Sequence, residues 1–248
     1  MMIKHREQTS HQGTETQKNN HNLSVLVSLW QKFGREGISL FFLAVIAGGI
    51  WLFVEIADEV VEGDTHHLDS IILLAMREPA DTREPWGPKW LEEMGRDFTA
   101  LGGMGVLILL IAGTAGGYVL KKQRKTALLI VAAVFGGLVI SLILKQGFDR
   151  PRPDLVPHGS YVYTKSFPSG HSMLSAITYL TLGSLMVRTV RNRSLKIYIM
   201  ALSILITLLV GLSRVYLGVH WPTDVLAGWT AGASWALICW FAARRLLS

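Results

Sequence analysis

Six long apolar segments constrain most strongly what this chain of 248 residues can fold into. All but the shorter fourth and fifth are close to the length that a helix needs to cross the hydrocarbon core of a bilayer, roughly 20 residues. They run approximately over residues 38–56, 101–120, 126–144, 173–187, 197–212 and 225–243. Half of the residues are hydrophobic and 17% are charged, too few for every helix to carry a polar face. The pattern therefore predicts a protein whose solvent is lipid.

The same segments predict the fold class. Backbone groups inside a bilayer must be hydrogen-bonded within the protein, so only helices and closed barrels span it. The segments lack the alternation of apolar and polar residues that barrel strands show. We therefore expect an all-α fold, a bundle of six transmembrane helices. The first segment is too long for a secretory signal and should remain as an anchor. The single cysteine, Cys239, excludes an internal disulfide.

The charges between the segments predict their orientation, because Lys and Arg in short turns are retained on the cytoplasmic side. Two turns are strongly basic: Lys121, Lys122, Arg124 and Lys125 in one, Arg188, Arg191, Arg193 and Lys196 in the other. With these turns and both termini inside, the inner side holds 15 of 24 basic residues but 3 of 18 acidic residues. Both termini are therefore expected in the cytoplasm. The basic residues follow no nucleic-acid-binding pattern, so no nucleic-acid partner is expected.

Two segments outside the apolar ones carry expectations of their own. Residues 1–36 should form a cytoplasmic tail ahead of a membrane domain at 37–248, and the polar composition of its first 22 residues predicts disorder. Residues 23–33 have apolar side chains at helical spacing, which fits an interfacial helix or a simple extension of the first span. The outer segment at about 57–99 is expected to cap the site or to lie flat beside it.

Three groups of polar residues interrupt the apolar background, and the predicted topology places all of them at the outer face. They are Lys145 followed after six residues by Arg152 and Pro153; Pro168, Ser169, Gly170 and His171; and Ser213 and Arg214 followed by His220 and Asp224. Singly, Lys145 could be a snorkelling lysine, Ser169 a helix cap and His171 an ordinary loop histidine. Together they favour an anion site, because charges near a membrane are costly unless they are paired or functional.

These groups resemble the three-part signature of the type 2 phosphatidic acid phosphatase superfamily. That signature is Lys, six residues and Arg-Pro, then Pro-Ser-Gly-His, then Ser-Arg with His and Asp downstream, and every position is filled here with matching spacing. The resemblance covers roughly residues 145–224 by motif. It implies a membrane phosphatase acting on a lipid phosphate or diphosphate, with phosphatidate and undecaprenyl diphosphate favoured, and it is far more specific for phosphate chemistry than for the lipid.

The resemblance also implies which residues bind phosphate. Lys145, Arg152 and Arg214 would hold the phosphate oxygens, the two guanidinium groups by paired hydrogen bonds and the lysine as a point charge. Ser169 and the backbone N–H of Gly170 would add donors at the start of a helix, where the dipole favours an anion.

Three further residues would carry the chemistry that the resemblance implies. His220 would be the nucleophile and would form a phosphohistidine, and Asp224 would fix its tautomer. His171 would protonate the leaving group and then activate water. Positive side chains would stabilise the transition state, so that no metal ion and no cofactor is expected.

Some alternatives stay open at this stage. Asp149 and Arg150 could pair with each other or touch a substrate headgroup, and Tyr216 and Trp221 could be site walls or interfacial aromatics. A non-catalytic lipid-binding or transport protein on the same fold is the alternative function. If the chain is bacterial, the expected place is the inner membrane with the site on the periplasmic side, and lipid is the expected partner.

Overall fold

A computed structural model of the chain describes residues 37, 39–162 and 164–246. The chain divides into two units, Met1–Val45 and Ile46–Ser248, and every contact described below lies within the second. The predicted tail at 1–36, with its predicted disorder and interfacial helix, lies outside the described residues.

The secondary structure of the described residues is helical, which confirms the all-α prediction. The helices are α1 (Ser39–Glu62), α2 (His66–Ala75), α3 (Lys89–Leu101), α4 (Met104–Leu120), α5 (Arg124–Gly147), α6 (Gly170–Thr189), α7 (Arg193–Tyr216) and α8 (Pro222–Leu246). The predicted apolar segments fall on α1 and on α4 to α8. The outer segment differs from a simple cap, since α1 continues to Glu62 and the rest contains α2 and α3.

The helices differ in how well they fit a membrane span. Among the described residues, α1, α5, α7 and α8 are each long and apolar enough to cross a membrane. The pair α3 and α4 makes a fifth span if it is counted as one, but it is bent by 48°. The predicted segment at 101–120 is thus shorter than expected, because two glycines at 102–103 separate the helices. A Cβ on Gly102 would lie 2.4 Å from a methyl carbon of Val210, so the bend lies where the chain contacts α7.

Helix α6 carries too many polar residues to resemble a lipid-facing span. It packs against α4, α5, α7 and α8, and 10 of its 20 residues are buried. Its buried polar residues are Ser172, Ser175, Thr178 and Thr181. A helix surrounded by other helices needs no apolar outer face, which explains why the apolar segment at 173–187 is short.

Helices α6 and α8 approach each other closely through two glycines of α8. A Cβ added to Gly228 would lie 2.7 Å from the carbonyl oxygen of Ser169, and one added to Gly232 would lie 2.5 Å from that of Met173. Small residues four positions apart allow helix backbones to meet in this way. The first turn of α8 consequently lies beside the start of α6, where the backbone N–H of Ser169 donates to the carbonyl oxygen of Asp224 at 2.9 Å.

Candidate active site

The helix ends bring the three predicted polar groups to one end of the bundle. Lys145 lies in the last turn of α5, Ser169 caps α6, Gly170 and His171 begin it, Arg214 lies in the last turn of α7 and Asp224 in the first turn of α8. Arg152 and His220 lie in the connections after α5 and α7. Because α5 and α7 end where α6 and α8 begin, all eight predicted site residues share this end.

His220 and Asp224 form a buried pair at the centre of the site. The Nδ1 atom of His220 lies 3.3 Å from Oδ2 of Asp224, and the two side chains are 2% and 0% exposed. The backbone N–H of Trp221 donates to the same oxygen at 2.9 Å, and the Ser166 hydroxyl donates to it as well. Since the carboxylate faces Nδ1, a neutral ring carries its proton there and leaves a lone pair on Nε2.

Arg152 lies on the other side of the His220 ring. Its Nη1 atom is 3.2 Å from Nε2 of His220 and donates to the carbonyl oxygen of Val219 at 2.5 Å. Its Nε donates to the carbonyl oxygen of Thr164 at 2.8 Å. These backbone contacts fix the guanidinium beside Nε2, where it can meet an anion that approaches this nitrogen.

The surroundings of His220 keep its ring neutral. Burial lowers the pKa of His220 well below its ordinary value, and the positive charges of Arg152, Arg214 and Lys145 lower it further. A positive charge on the His171 ring would act in the same direction. These four groups are therefore near enough to act on His220, and a neutral imidazole is the form that can attack an electrophile.

Arg214 is a buried cation with donor capacity left over. It is 2% exposed, and its Nη1 atom donates to the hydroxyl of Thr99 at 2.7 Å. Its Nε has no hydrogen-bond partner among the described residues. A buried donor without a partner is costly, so the side chain is suited to an anion that supplies one. Thr99 belongs to none of the three motifs and lies 115 positions from Arg214 in the chain, so no local pattern indicates it.

Lys145, Ser169 and Gly170 meet at the start of α6. The Lys145 ammonium donates to the carbonyl oxygen of Lys165 at 2.8 Å. A Cβ placed on Gly170 would lie 3.4 Å from Cε of Lys145, so the lysine runs alongside this helix end. The Ser169 side chain is fully buried and accepts a hydrogen bond from the backbone N–H of Ser172. Ser169 is expected to cap the helix or to donate to phosphate, and this contact is the helix cap.

His171 faces the site without a fixed hydrogen bond. Its ring makes none with any residue that the structure describes, and its backbone lies against Gly102, where an added Cβ would be 3.3 Å from the His171 carbonyl oxygen. The ring is partly exposed. It is therefore able to exchange a proton with a group that enters the site.

Arg150 takes part in the site in a way that the sequence did not indicate. Its Nη1 donates to Oδ1 of Asp224 at 2.7 Å, and its Nη2 donates to Oδ2 of Asp69 at 2.6 Å. Of the two alternatives left open for Asp149 and Arg150, pairing with each other is not observed, because Asp149 pairs instead with Lys165. The Asp149 side chain is 82% exposed and that of Arg150 is 10% exposed, so these neighbours point to opposite sides of the chain.

Trp221 and Tyr216 differ in their surroundings. Trp221 is 3% exposed, its Nε1 donates to the carbonyl oxygen of Pro151 at 3.1 Å, and the Arg150 guanidinium lies 5.6 Å from its ring centre. It packs in a buried apolar cluster with Leu73 and Val225, and its role as a site wall stays a prediction. The Tyr216 hydroxyl donates to the carbonyl oxygen of Trp86 at 3.0 Å and closes one end of an apolar groove.

Among the described residues, cavities of three kinds lie near this end of the bundle. One of about 520 Å³ is lined by polar residues that include Lys145, Arg152 and Lys165. A second, of about 770 Å³, lies between α3 and residues 158–162 and reaches Thr99, the partner of Arg214. The third is the apolar groove, of about 380 Å³, between α2, α3 and α7.

Comparison with known proteins gives consistent matches. Residues 126–247 match the profile of the PAP2 superfamily. Phosphatidylglycerophosphatase B of Bacillus subtilis (strain 168) is 33% identical over 198 residues, which are 78% of this chain and 86% of that protein. An undecaprenyl-diphosphatase of Sulfolobus acidocaldarius is 30% identical over 122 residues, 47% of this chain and 54% of that protein.

The fold has a similar solved counterpart. A crystal structure of a transmembrane PAP2-type phosphatidylglycerolphosphate phosphatase from Bacillus subtilis superposes with a TM-score of 0.70 at 27% sequence identity. The superposition covers 81% of this chain and 96% of that one. The likeness thus includes helices outside the three polar groups.

Proposed function

The chain belongs to the PAP2 superfamily and is an integral membrane phosphatase, and we propose that it releases phosphate from a lipid phosphate or diphosphate through a phosphohistidine on His220. The single observation that carries this mechanism is the position of His220 between Asp224 on Nδ1 and Arg152 beside Nε2. A carboxylate on one ring nitrogen and a cation beside the other suit nucleophilic attack on an anionic phosphoryl group.

The first chemical step follows from this arrangement. The lone pair on Nε2 of His220 attacks phosphorus, the N–P bond forms, and the bond from phosphorus to the leaving oxygen breaks. The proton on Nδ1 stays hydrogen-bonded to Asp224, which stabilises the positive charge that develops on the ring. His171 supplies a proton to the departing oxygen, which is an alkoxide for a monoester and a phosphate for a diphosphate.

The second step returns the enzyme to its starting state. A water molecule attacks the phosphohistidine, the N–P bond breaks, and the His171 ring accepts the proton of the water. Phosphate leaves with one oxygen from water, and His171 has regained the proton that it gave up. The lack of a fixed hydrogen bond on His171 among the described residues supports this double use.

Four groups are proposed to hold the phosphate. Arg152 and Arg214 would bind its oxygens, because one lies beside Nε2 and the other has an unused buried N–H. Lys145 would add a positive charge next to the first N–H groups of α6, where the helix dipole also favours an anion. Gly170 would let the phosphate approach the backbone, since a Cβ there would fill the space beside Lys145.

We propose six membrane spans with the site at the outer face and both termini in the cytoplasm. The basic turns at 121–125 and 188–196 lie at the ends of α5 and α6 opposite the site. A helix of 24 residues such as α5 is about 36 Å long at about 1.5 Å per residue, which is enough to cross a bilayer. The turns follow the positive-inside rule, and the inner membrane of a bacterium, with the site on its periplasmic side, is the proposed place.

The apolar groove supports a lipid as the substrate. Its walls on α3 and α7 include Phe98 and Ser213, the neighbours of Thr99 and Arg214. The hydroxyls of Ser213 and Tyr216 are already bonded to backbone carbonyls, so neither needs a polar ligand in the groove. A lipid whose phosphate meets Arg214 can therefore place an apolar chain in the groove.

The lipid itself is proposed from the relatives together with the cavities. Phosphatidylglycerophosphate, phosphatidate and undecaprenyl diphosphate all combine a terminal phosphate with a long apolar chain. The cavity of about 770 Å³ beside Thr99 offers room for a polar headgroup. This space is compatible with a monophosphate and with a diphosphate.

The test is phosphate release by the purified protein in detergent, in the presence of a chelator, from these three lipids and from a soluble phosphomonoester. We expect release from at least one lipid, little release from the soluble ester, and none from His220→Ala. His67→Ala, at an exposed histidine of α2, is the matched control and should keep full activity. Release that persists in His220→Ala would contradict the mechanism. A wild type inactive on every lipid would favour a non-catalytic lipid-binding or transport protein.

A further inference from the structure

We infer that Asp69, in the outer segment, is a positioning residue for the reaction: through Arg150 and Thr223 it holds the Asp224 carboxylate in the orientation that serves His220. The inference rests on the proposed function, because it assigns Asp69 to the same reaction. Asp69 belongs to none of the three motifs and lies on α2, far from them in the chain.

The Asp69 carboxylate is enclosed by donors. Its side chain has no exposed surface. Its Oδ1 accepts from the backbone N–H of Thr223 at 2.9 Å, and its Oδ2 accepts from the Thr223 hydroxyl at 2.6 Å and from Nη2 of Arg150 at 2.6 Å. A buried carboxylate with three donors has one orientation, and it fixes the groups that donate to it.

Arg150 connects Asp69 with Asp224. One terminal nitrogen donates to Asp69, and the other donates to Oδ1 of Asp224 at 2.7 Å and to the Thr223 hydroxyl at 2.8 Å. The Thr65 hydroxyl accepts a further bond from Nη2 at 3.1 Å. The planar guanidinium thus bridges two buried carboxylates, which a lysine ammonium cannot do with the same geometry.

This bridge determines which oxygen of Asp224 faces His220. Because Oδ1 is held by Arg150, Oδ2 is directed to Ser166, to the backbone N–H of Trp221 and to Nδ1 of His220. The distance to Nδ1 is 3.3 Å, at the long end for a hydrogen bond. A small rotation of the carboxylate therefore decides whether the bond to the ring exists.

The charges lead to the same conclusion. One guanidinium charge is shared between two carboxylates that are each 0% exposed. If Asp69 loses its charge, Arg150 has Asp224 as its remaining carboxylate partner among the described residues and binds it more closely. Asp224 is then a weaker partner for the positive ring of the intermediate. Among the described residues, Asp69 forms no hydrogen bond or ion pair with Lys145, Arg152 or Arg214, so its loss should leave binding of the phosphate unaffected.

A purely structural role makes a different prediction. Asp69 also joins α2 to the start of α8 through Thr223, so its loss could simply loosen these helices. That loss would lower the stability and would lower activity by the same factor whether or not Asp224 carries a charge. A positioning role acts through Asp224 and disappears when Asp224 is replaced.

The experiment is a double-mutant cycle on the full-length protein, measuring lipid phosphate release for wild type, Asp69→Asn, Asp224→Asn and the double variant. We expect Asp69→Asn to lower kcat by about tenfold to a hundredfold, as misplacement of a catalytic group does, with KM changed less than about twofold. In the Asp224→Asn background the same change should lower kcat less than about twofold. Asp64→Asn, at an exposed carboxylate just before α2, is the matched control and should match wild type.

Equal losses of kcat in both backgrounds, or a loss carried by KM, would overturn the inference. If Asp69→Asn does not fold, Arg150→Lys replaces it in the cycle and must give the same loss of kcat that vanishes with Asp224→Asn. Each of these outcomes is a ratio of kcat between two variants, so it can be read only when the wild type is active. Failure of the proposed function would instead appear as a wild type without lipid phosphatase activity.

Discussion

The Nη1 atom of Arg152 lies 3.2 Å from Nε2 of His220, so a guanidinium stands beside the ring nitrogen that the Asp224 carboxylate leaves free. Because of this contact, the group that binds the phosphate lies beside the nitrogen that attacks it. An anion that approaches Nε2 meets the cation at the same moment, and its charge is neutralised while the N–P bond forms.

Arg152→Lys tests this coupling. A lysine keeps the positive charge. Its ammonium group lacks the planar array of donors with which Arg152 can hold the carbonyl oxygens of Val219 and Thr164 and a phosphate at the same time. We expect kcat/KM to fall by about a hundredfold, within the range found when one donor to a developing oxyanion is removed. Arg193→Lys, at the opposite end of the bundle, should change it little. If Arg152→Lys keeps the wild-type kcat/KM, the paired donors of the guanidinium do not contribute to the reaction.

The pKa of His220 gives a prediction about pH. Its folded value is lowered by burial and by nearby cations, while in the unfolded chain it is about 6.5. Below pH 6.5 the unfolded state therefore binds a proton that the folded state does not. The contribution of His220 to stability is present above that pH and is lost as the pH falls below it.

NMR of protein with labelled histidine, in detergent, checks this directly. The His220 ring should stay neutral at pH 6, where an ordinary histidine is mostly protonated. A His220 ring that is protonated at pH 6 would contradict the assignment of a buried neutral nucleophile.

The contact between α6 and α8 predicts a large effect of one methyl group. A Cβ on Gly228 would lie 2.7 Å from the Ser169 carbonyl oxygen and 2.9 Å from Cβ of Ser172. Gly228→Ala should therefore push α8 from α6, lower stability by about 1–3 kcal/mol, and reduce activity by shifting Asp224. Gly113→Ala on α4, where an added Cβ has no atom within 4 Å, should be neutral or slightly stabilising. Thermal unfolding in detergent should show a lower Tm for Gly228→Ala and an unchanged or slightly higher Tm for Gly113→Ala.

Filling the apolar groove should affect long lipids selectively. Ala75 lines the groove at the end of α2, and Ala75→Trp would occupy part of its 380 Å³. We expect KM for a long-chain lipid phosphate to rise several-fold, with little change for a short-chain analogue. Leu128→Trp, at an exposed position of α5, is the control for a bulky lipid-facing residue. Equal changes for both chain lengths would show that no chain binds there.

Local patterns in the sequence account for much of the fold and of the site. Apolar length predicts where the helices lie, since the membrane fixes that length. His220 and Asp224 are four positions apart across a helix start, so their contact follows from chain geometry. The same holds for Ser169 as the cap of α6.

The parts that could not be predicted depend on contacts between distant residues. Asp69 and Arg150 are 81 positions apart, and Thr99 and Arg214 are 115 positions apart. Asp69 stands in the outer segment without a motif, so nothing local distinguishes it from the exposed acids around it. The bend between α3 and α4 depends likewise on packing against α7, which a hydropathy pattern does not contain.

The most direct test of the central claim is to mix the enzyme with a lipid phosphate labelled on its terminal phosphorus, quench within milliseconds, and map the label by mass spectrometry. The account predicts an acid-labile, base-stable phosphate on the peptide that contains His220. Turnover of the lipid with label on another residue, or with no label on His220, would contradict it.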